Sequence, residues 1–338
     1  MKKKIMTMYS EFGSMPTTEE GKKILKEAAE KIRPLKIVHV YHTGASIGYY
    51  HRVLSILAEK QKILLEMIRL DHYVTLGRTP STDVLSYQTF PDEKHKGKFN
   101  PRLVSAGDSL FQKFEGLKII SDAHDCSDAD AFSRFSDSKE LPRVKCFPSK
   151  WFLENYNVIM IAGIATTDSR TFPDEFDRVI EISCKFGRVT GDYYFHRIRE
   201  SVVEQLETFF PNRVDFKQAE GNRKVYTEEL RHTLISIGAP GWGPFSGSYH
   251  CALRAGALLF AHISLNDIQY LPHANLVDGE DYISYDLYNF NRKLKRLLDD
   301  PKKIELVRKS GRAKFAEGFD YSQSADKLWE FIKENVKR

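Results

Sequence analysis

The sequence predicts an α/β protein of two Rossmann-like, doubly wound parallel-sheet domains facing across a cleft. Three observations carry this. Short apolar runs alternate with helical stretches along most of the chain. A strand, a glycine-bearing turn and a helix open the pattern near Leu35 and open it again near Arg178. Finally, 338 residues exceed one ordinary core, since a domain takes roughly 150.

Residues 1–16 read as an arm. Thr17 and Glu20 then form a Thr-x-x-Glu start for a helix that Pro34 stops, so 1–34 is set apart as arm and helix. The first strand covers 35–40, a continuous apolar run of the kind buried on both faces of a parallel sheet. A turn with Gly44, Ser46 and Gly48 follows, then a helix over 49–60. Strands over 62–70, 83–87, 116–121 and 158–162, with helices over 102–114 and 150–155, complete a first domain at 35–172. The second domain, 173–320, restarts with a strand over 178–184 and a long helix over 196–210. Strands over 213–216, 232–237 and 257–261 follow, with helical stretches at 227–231, 249–255, 289–299 and 301–316. The closing helix lies in the segment 321–338 and is expected to pack back across the cleft.

Composition narrows the partners. Hydrophobic residues at 41% and charged residues at 29% suit a globular chain. The net charge of +5 is spread thinly, which suits an anionic small ligand and argues against nucleic acid. Cys126, Cys146, Cys184 and Cys251 lie far apart with no Cys-x-x-Cys pair, so they read as reduced structural thiols. No apolar run reaches the roughly 20 residues of a membrane span, and the basic N-terminus has no apolar stretch behind it. A cytoplasmic protein is expected, acting in the cytosol or at a membrane face as a peripheral contact.

Ligands of such sheets bind at the carboxyl ends of the strands, so candidates are sought there. Gly187 and Arg188, followed by Arg197 at a helix start, place backbone N–H groups and guanidinium groups where a phosphate would sit. A solvated basic loop is the alternative. Gly241, Trp242 and Gly243, with Ser246 and Ser248, allow close backbone approach beside an aromatic wall and offer hydroxyls to phosphate or ribose. Otherwise they form a turn-rich surface loop. Asp122, His124 and Asp125 directly follow a strand and suit a general base, or Asp125 simply caps the next helix. Asp128 and Asp130 spell Asp-x-Asp, a carboxylate pair able to share a hard cation, or acids favoured by a helix's first turn. Gly44, Ser46, Tyr49, Tyr50, His51 and Arg52 follow the first strand and suit a polyhydroxylated ligand or a domain interface.

Residues 235–321 resemble the donor-binding domain of GT-B glycosyltransferases, especially the group 1 and exostosin-like enzymes. The resemblance rests on the run 236–243 through Gly241 and Trp242, the run 252–259 around Gly256, and the run 275–283. It continues with the helix over 294–300 ending at Pro301, then Gly311 and Arg312 before Phe319, Asp320 and Tyr321. The strand, glycine, Arg and helix order over 182–197 looks like the start of the same domain. The resemblance implies transfer of a hexosyl or pentosyl group from a nucleotide-sugar donor to a glycan or glycoconjugate acceptor. The nucleotide sugar would be a co-substrate, with no cofactor and no metal. It also implies a donor-ribose Glu where this chain has Cys251, and an acid and an Arg where it has Pro244 and Ser248; Arg254 offers a replacement charge. A metal-dependent transferase using Asp128 and Asp130, and a non-catalytic glycan- or nucleotide-binding protein, stand as alternatives.

Overall fold

A computed structural model describes residues 33–42, 48–88, 100–122, 133–162, 177–186, 194–216, 223–240 and 247–336, with Glu19 and Lys23 besides. The expected helix before Pro34 therefore lies almost wholly outside the described residues.

In chain order the first half holds β1 (Lys36–Tyr41), α1 (Gly48–Gln61), β2 (Leu64–Arg69), α2 (Leu70–Leu76), β3 (Val84–Tyr87) and α3 (Pro101–Gln112). It ends with β4 (Leu117–Asp122), β5 (Arg143–Lys145), α4 (Lys150–Asn155) and β6 (Val158–Met160). The second half holds β7 (Ile180–Ser183), α5 (Tyr194–Phe209), β8 (Val214–Asp215), α6 (Arg223–Arg231), β9 (Thr233–Gly238), α7 (Gly247–Ala255) and β10 (Leu258–His262). β11 (Ile283–Tyr285), α8 (Phe290–Leu298), α9 (Pro301–Gly318) and α10 (Tyr321–Asn335) close it.

Local chemistry sets many of these boundaries. Asn100 caps α3 by accepting from the Arg102 N–H, and Pro101 starts that helix where a missing N–H costs nothing. Asp300 with Pro301 does the same for α9, and Asp320 caps α10. Gly77, at φ +64°, ends α2 in the left-handed conformation that glycine adopts without strain.

The described strands form two sheets, and every pairing in them is parallel. The first runs β2-β1-β3-β4-β5-β6 and the second β8-β7-β9-β10-β11. Both wind outward in two directions from their first strand, so each has a switch point, between β1 and β3 in one and between β7 and β9 in the other. The chain thus has the expected doubly wound architecture twice over.

Alternation along the strands divides the core. Val38, Val40, Leu85, Tyr87 and Ile120 face α2 and α3. Ile37, Val84 and Ile119 face α1, and this layer continues without a break into Tyr249, Phe315 and Phe319 of the second half. The far side of the second sheet packs on α5 and α8 through Ile182, Ile235, Val202, Phe290 and Leu294. α10 packs against α1 and β6 of the first half. There the Ser324 hydroxyl accepts from the Ala162 N–H at 3.0 Å.

Three elements differ from the sequence reading. β5 was hidden because Arg143 and Lys145 are charged, yet both are fully buried. β11 is three residues long and α2 follows β2 with no intervening loop, so neither offers a periodic signal of its own.

Candidate functional site

Polar clusters lie at both switch points. At the first, His39 of β1 stands opposite Ser86 of β3 in the parallel register. His39 Nδ1 lies 3.0 Å from Ser86 Oγ, and Ser86 Oγ lies 3.0 Å from the Tyr50 hydroxyl in the first turn of α1. The His51 ring meets His39 edge-on at 5.1 Å and Tyr41 at 5.0 Å, so four rings enclose the site with Tyr50. Gln88, the residue after β3, is fully buried beside them. Among the described residues His51 Nε2 is buried with no hydrogen-bond partner, and the Gln88 amide is buried close enough to the His39 ring to act on it as a hydrogen-bonding neighbour. Burial, reinforced by the neighbouring His51, drives the His39 pKa down to about 3 against weaker opposing contacts from Ser86 and Gln88. Burial also lowers that of His51. Both rings are neutral at physiological pH.

The second switch point holds a guanidinium. Arg199 on α5 donates from Nε to the Pro240 carbonyl at 2.6 Å, and its guanidinium lies 5.7 Å from the Phe186 ring centre. Pro240 immediately precedes the glycine-rich run 241–246. The Tyr285 hydroxyl donates to the Gly238 carbonyl at 2.8 Å, and a Cβ at Gly238 would lie 2.6 Å from the Tyr249 ring. Glycine there is what lets Tyr249 pack onto the strand end. Among the described residues the Tyr249 hydroxyl and Ser183 Oγ are buried without hydrogen-bond partners. Lys185, just beyond β7, is held between two carboxylates, Asp215 at 2.6 Å and Glu229 at 3.3 Å.

The segments that leave the carboxyl ends of β5 and β10 meet directly. The Gln269 N–H donates to the Pro148 carbonyl at 2.9 Å, and Phe147 stacks on Tyr270 at 4.9 Å. Phe147 follows β5, and Gln269 and Tyr270 come after the 3-10 turn Ile263–Asp267 that leaves β10, so the contacts join the segments downstream of these two strands. Tyr270 in turn lies 6.1 Å from Tyr249, linking this junction to the second switch point.

The structure brings some sequence candidates together and separates others. Tyr50 and His51 belong to the first cluster, whereas Arg52 is exposed. Ser248, in the first turn of α7, is within reach of the hydroxyl of the partly buried Tyr226. Arg197 is exposed on α5, and Arg199, two residues on, is the one that faces the strand ends. Arg254 lies in the last turn of α7, next to Ala255, whose carbonyl accepts from Arg178 ahead of β7. That is the end of the sheet remote from the glycine run. Cys251 is buried in the apolar core. Asp122 is fully buried and held by Lys145 Nζ at 2.9 Å, with Arg143 3.9 Å away, on the face of the sheet opposite His39. Gly44, Ser46, His124, Asp125, Asp128, Asp130, Gly187, Arg188, Gly241, Trp242, Gly243 and Ser246 lie outside the described residues, and so does the side chain of Tyr49. No cluster of three or more His, Cys, Asp or Glu able to hold a metal occurs among the described residues.

His39, Ser86, Gln88, Arg199 and Tyr249 were not singled out from sequence. A signal existed for three of them. His39 interrupts an otherwise apolar buried strand, and Ser86 and Gln88 alternate on one face of the next.

No protein-family model matches the chain, and no curated protein matches it in sequence. Solved structures do match in three dimensions. One is a glycosyltransferase from Rickettsia africae ESF-5, 10% identical, with 90% of this chain and 100% of that one covered and a TM-score of 0.55. Another is sucrose-phosphate synthase from Thermosynechococcus elongatus, 11% identical, covering 89% and 98%, with a TM-score of 0.56. With the two facing parallel-sheet domains, this likeness defines the fold as GT-B. Among the described residues no helix is long and apolar enough to cross a membrane.

Proposed function

We propose that this chain is a glycosyltransferase that moves a sugar from a nucleotide-sugar donor to a glycan or glycoconjugate acceptor. The donor would bind at the β7/β9 switch point and the acceptor at the β1/β3 switch point. One observation carries the reading: two sheets wound alike, with the segments leaving β5 and β10 in contact, hold unlike clusters at their switch points, one of neutral groups and one with a guanidinium. A neutral cluster of hydrogen-bonding groups suits hydroxyls. A half-buried guanidinium beside a glycine-rich run suits the diphosphate, whose charge grows as the sugar leaves. The charge on Arg199 makes a metal unnecessary for that step. Where the reaction inverts the anomeric centre, His124 or Asp125 would take the acceptor proton. Asp122, already committed to Lys145, would not. We place the reaction in the cytosol or at a cytosolic membrane face.

Thermal shift against a panel of nucleotide sugars tests the reading, because a ligand of the native state raises the midpoint. At least one should stabilise the protein and be hydrolysed slowly without acceptor. Arg199→Ala should weaken nucleoside diphosphate binding by about 1.5–3 kcal/mol, roughly ten- to a hundredfold, by calorimetry. Transfer should survive a chelator; restoration by Mn²⁺ after chelation would instead assign the role to Asp128 and Asp130. No stabilisation by any nucleotide sugar would sink the proposal. Cys251 favours a second reading, a binding protein without turnover, since a core thiol stands where the resembling enzymes place a Glu. Tight nucleotide binding with neither hydrolysis nor transfer would select it.

A further inference from the structure

Gly238, the last residue of β9, is gripped from both faces of its sheet. On the α7 side the Tyr249 ring lies so close that a Cβ at Gly238 would meet it at 2.6 Å. From the other side the Tyr285 hydroxyl donates to the Gly238 carbonyl at 2.8 Å. Two residues further on, the Pro240 carbonyl accepts from Arg199 Nε at 2.6 Å. The Arg199 charge is close enough to act on both phenols, so the three side chains form one group around the strand end.

Tyr285 is fixed on every other side. Its fully buried ring packs on Phe290 at 4.8 Å, Phe260 at 4.9 Å and His262 at 5.8 Å. Burial pushes the phenol pKa well up, so the hydroxyl keeps its hydrogen and stays a donor. Among the described residues the Gly238 carbonyl is its one hydrogen-bond partner. Packing alone would be served as well by Phe, because a buried hydroxyl costs free energy unless it is bonded. Arg199 shows what depends on that bond. Its Nε is spent on Pro240, so the place of the half-buried guanidinium follows the place of the β9 end. A charge-assisted bond weakens steeply when donor and acceptor fall out of line, so a small shift of the strand end is felt at the guanidinium.

We propose that Tyr285 is a positioning residue of the donor site: through the Gly238 carbonyl it fixes the end of β9 that anchors Arg199, and so sets the guanidinium for the diphosphate. Tyr285 itself touches neither donor nor acceptor and acts only through Gly238 and Arg199. The proposal rests on the donor site of the glycosyltransferase reading and adds to it a residue from β11, 47 positions away in the chain.

The test uses the full chain. Tyr285→Phe keeps the ring among Phe260, Phe290 and His262 and removes only the donor. UDP, GDP, ADP, CDP and dTDP are titrated by calorimetry, and the matching uncharged nucleosides by ligand-observed NMR. The diphosphate that binds the unaltered protein best should bind Tyr285→Phe at least fivefold more weakly, while its nucleoside changes by less than twofold. A merely structural hydroxyl would move both alike. Phe290→Leu loosens the same packing and keeps the hydroxyl; it should lower the melting temperature and leave the diphosphate-to-nucleoside ratio within twofold. In the double variant of Arg199→Ala and Tyr285→Phe the loss should match that of Arg199→Ala within twofold, because Tyr285 acts through that guanidinium. Equal losses for diphosphate and nucleoside, an unaffected Tyr285→Phe, a ratio that Phe290→Leu shifts as far, or losses that multiply in the double variant overturn the positioning role. The two readings fail apart. If no diphosphate binds the unaltered protein, the donor site falls and the positioning role with it. If one binds and is indifferent to Tyr285→Phe, the positioning role falls alone.

Discussion

The two switch points share a winding and differ in charge. At β1 and β3 the side chains that reach the strand ends are His39, Ser86 and Gln88, all neutral and all buried. At β7 and β9 a guanidinium enters from the neighbouring helix and grips the Pro240 carbonyl. Topology thus decides where a ligand can lie, and a handful of side chains decides its charge. The first domain does bury charges at its strand ends, but on the other face of the sheet. Asp122, Lys145 and Arg143 lie beneath Phe152, whose ring centre is 4.8 Å from Lys145 Nζ and 5.3 Å from the Arg143 guanidinium. A carboxylate directly after a strand, read from sequence as a possible base, is here the counter-ion of two buried cations.

The largest expected effect tests that contrast. Asp122→Ala takes from the fully buried Lys145 the carboxylate that holds it at 2.9 Å, a change that typically costs 3–5 kcal/mol, so about that loss is expected in urea unfolding. A stable Asp122→Ala protein with lost turnover would move Asp122 into the chemistry and erase the difference between the two faces.

The next effect concerns the neutral cluster. The folded His39 ring stays neutral down to a pKa of about 3, whereas an unfolded histidine protonates near 6.5. Below that value the unfolded state binds the extra proton, so stability rises with pH through this window and is lost as the pH falls toward 3. Between pH 7 and pH 5 the loss is about 2 kcal/mol, from roughly 1.5 units at 1.36 kcal/mol each. His51, lowered in the same direction, adds to it. His39→Gln should remove the His39 part, measured as the difference between the two proteins in unfolding free energy at the two pH values. An identical pH slope in both would show a ring that titrates normally and a cluster open to water.

The smallest effect concerns the strap that joins the halves. Lys60 on α1 meets Asp326 on α10 at 2.7 Å in an exposed pair, and such pairs contribute about 0.2–1 kcal/mol. Lys60→Ala should lower stability by no more than that, and added salt should shrink the difference. A larger loss would mean that surface charge, and not the apolar layer under α10, holds the two domains together.

Sequence alone was enough for the element pattern wherever local physics is strong. The apolar run of β1, the Asn100–Pro101 and Asp300–Pro301 helix starts, and the second strand-to-helix opening near Arg178 are all visible as letters, and they suffice for two doubly wound sheets. They do not say which polar residues converge. Arg197 and Arg199 look alike in sequence, and only the roll of α5 against β9 turns Arg199 to Pro240 and leaves Arg197 in solvent. Arg143 and Lys145 read as a break between strands until Asp122 is placed beside them in the sheet. His39 became part of a site only when β3 paired with β1 and α1 folded over both, because register and packing set distances between residues 47 positions apart. Spacing along a chain fixes the period of a strand or helix, whereas charge pairing and hydrogen bonding across strands depend on which strands become neighbours. That choice is made by the whole apolar layer at once.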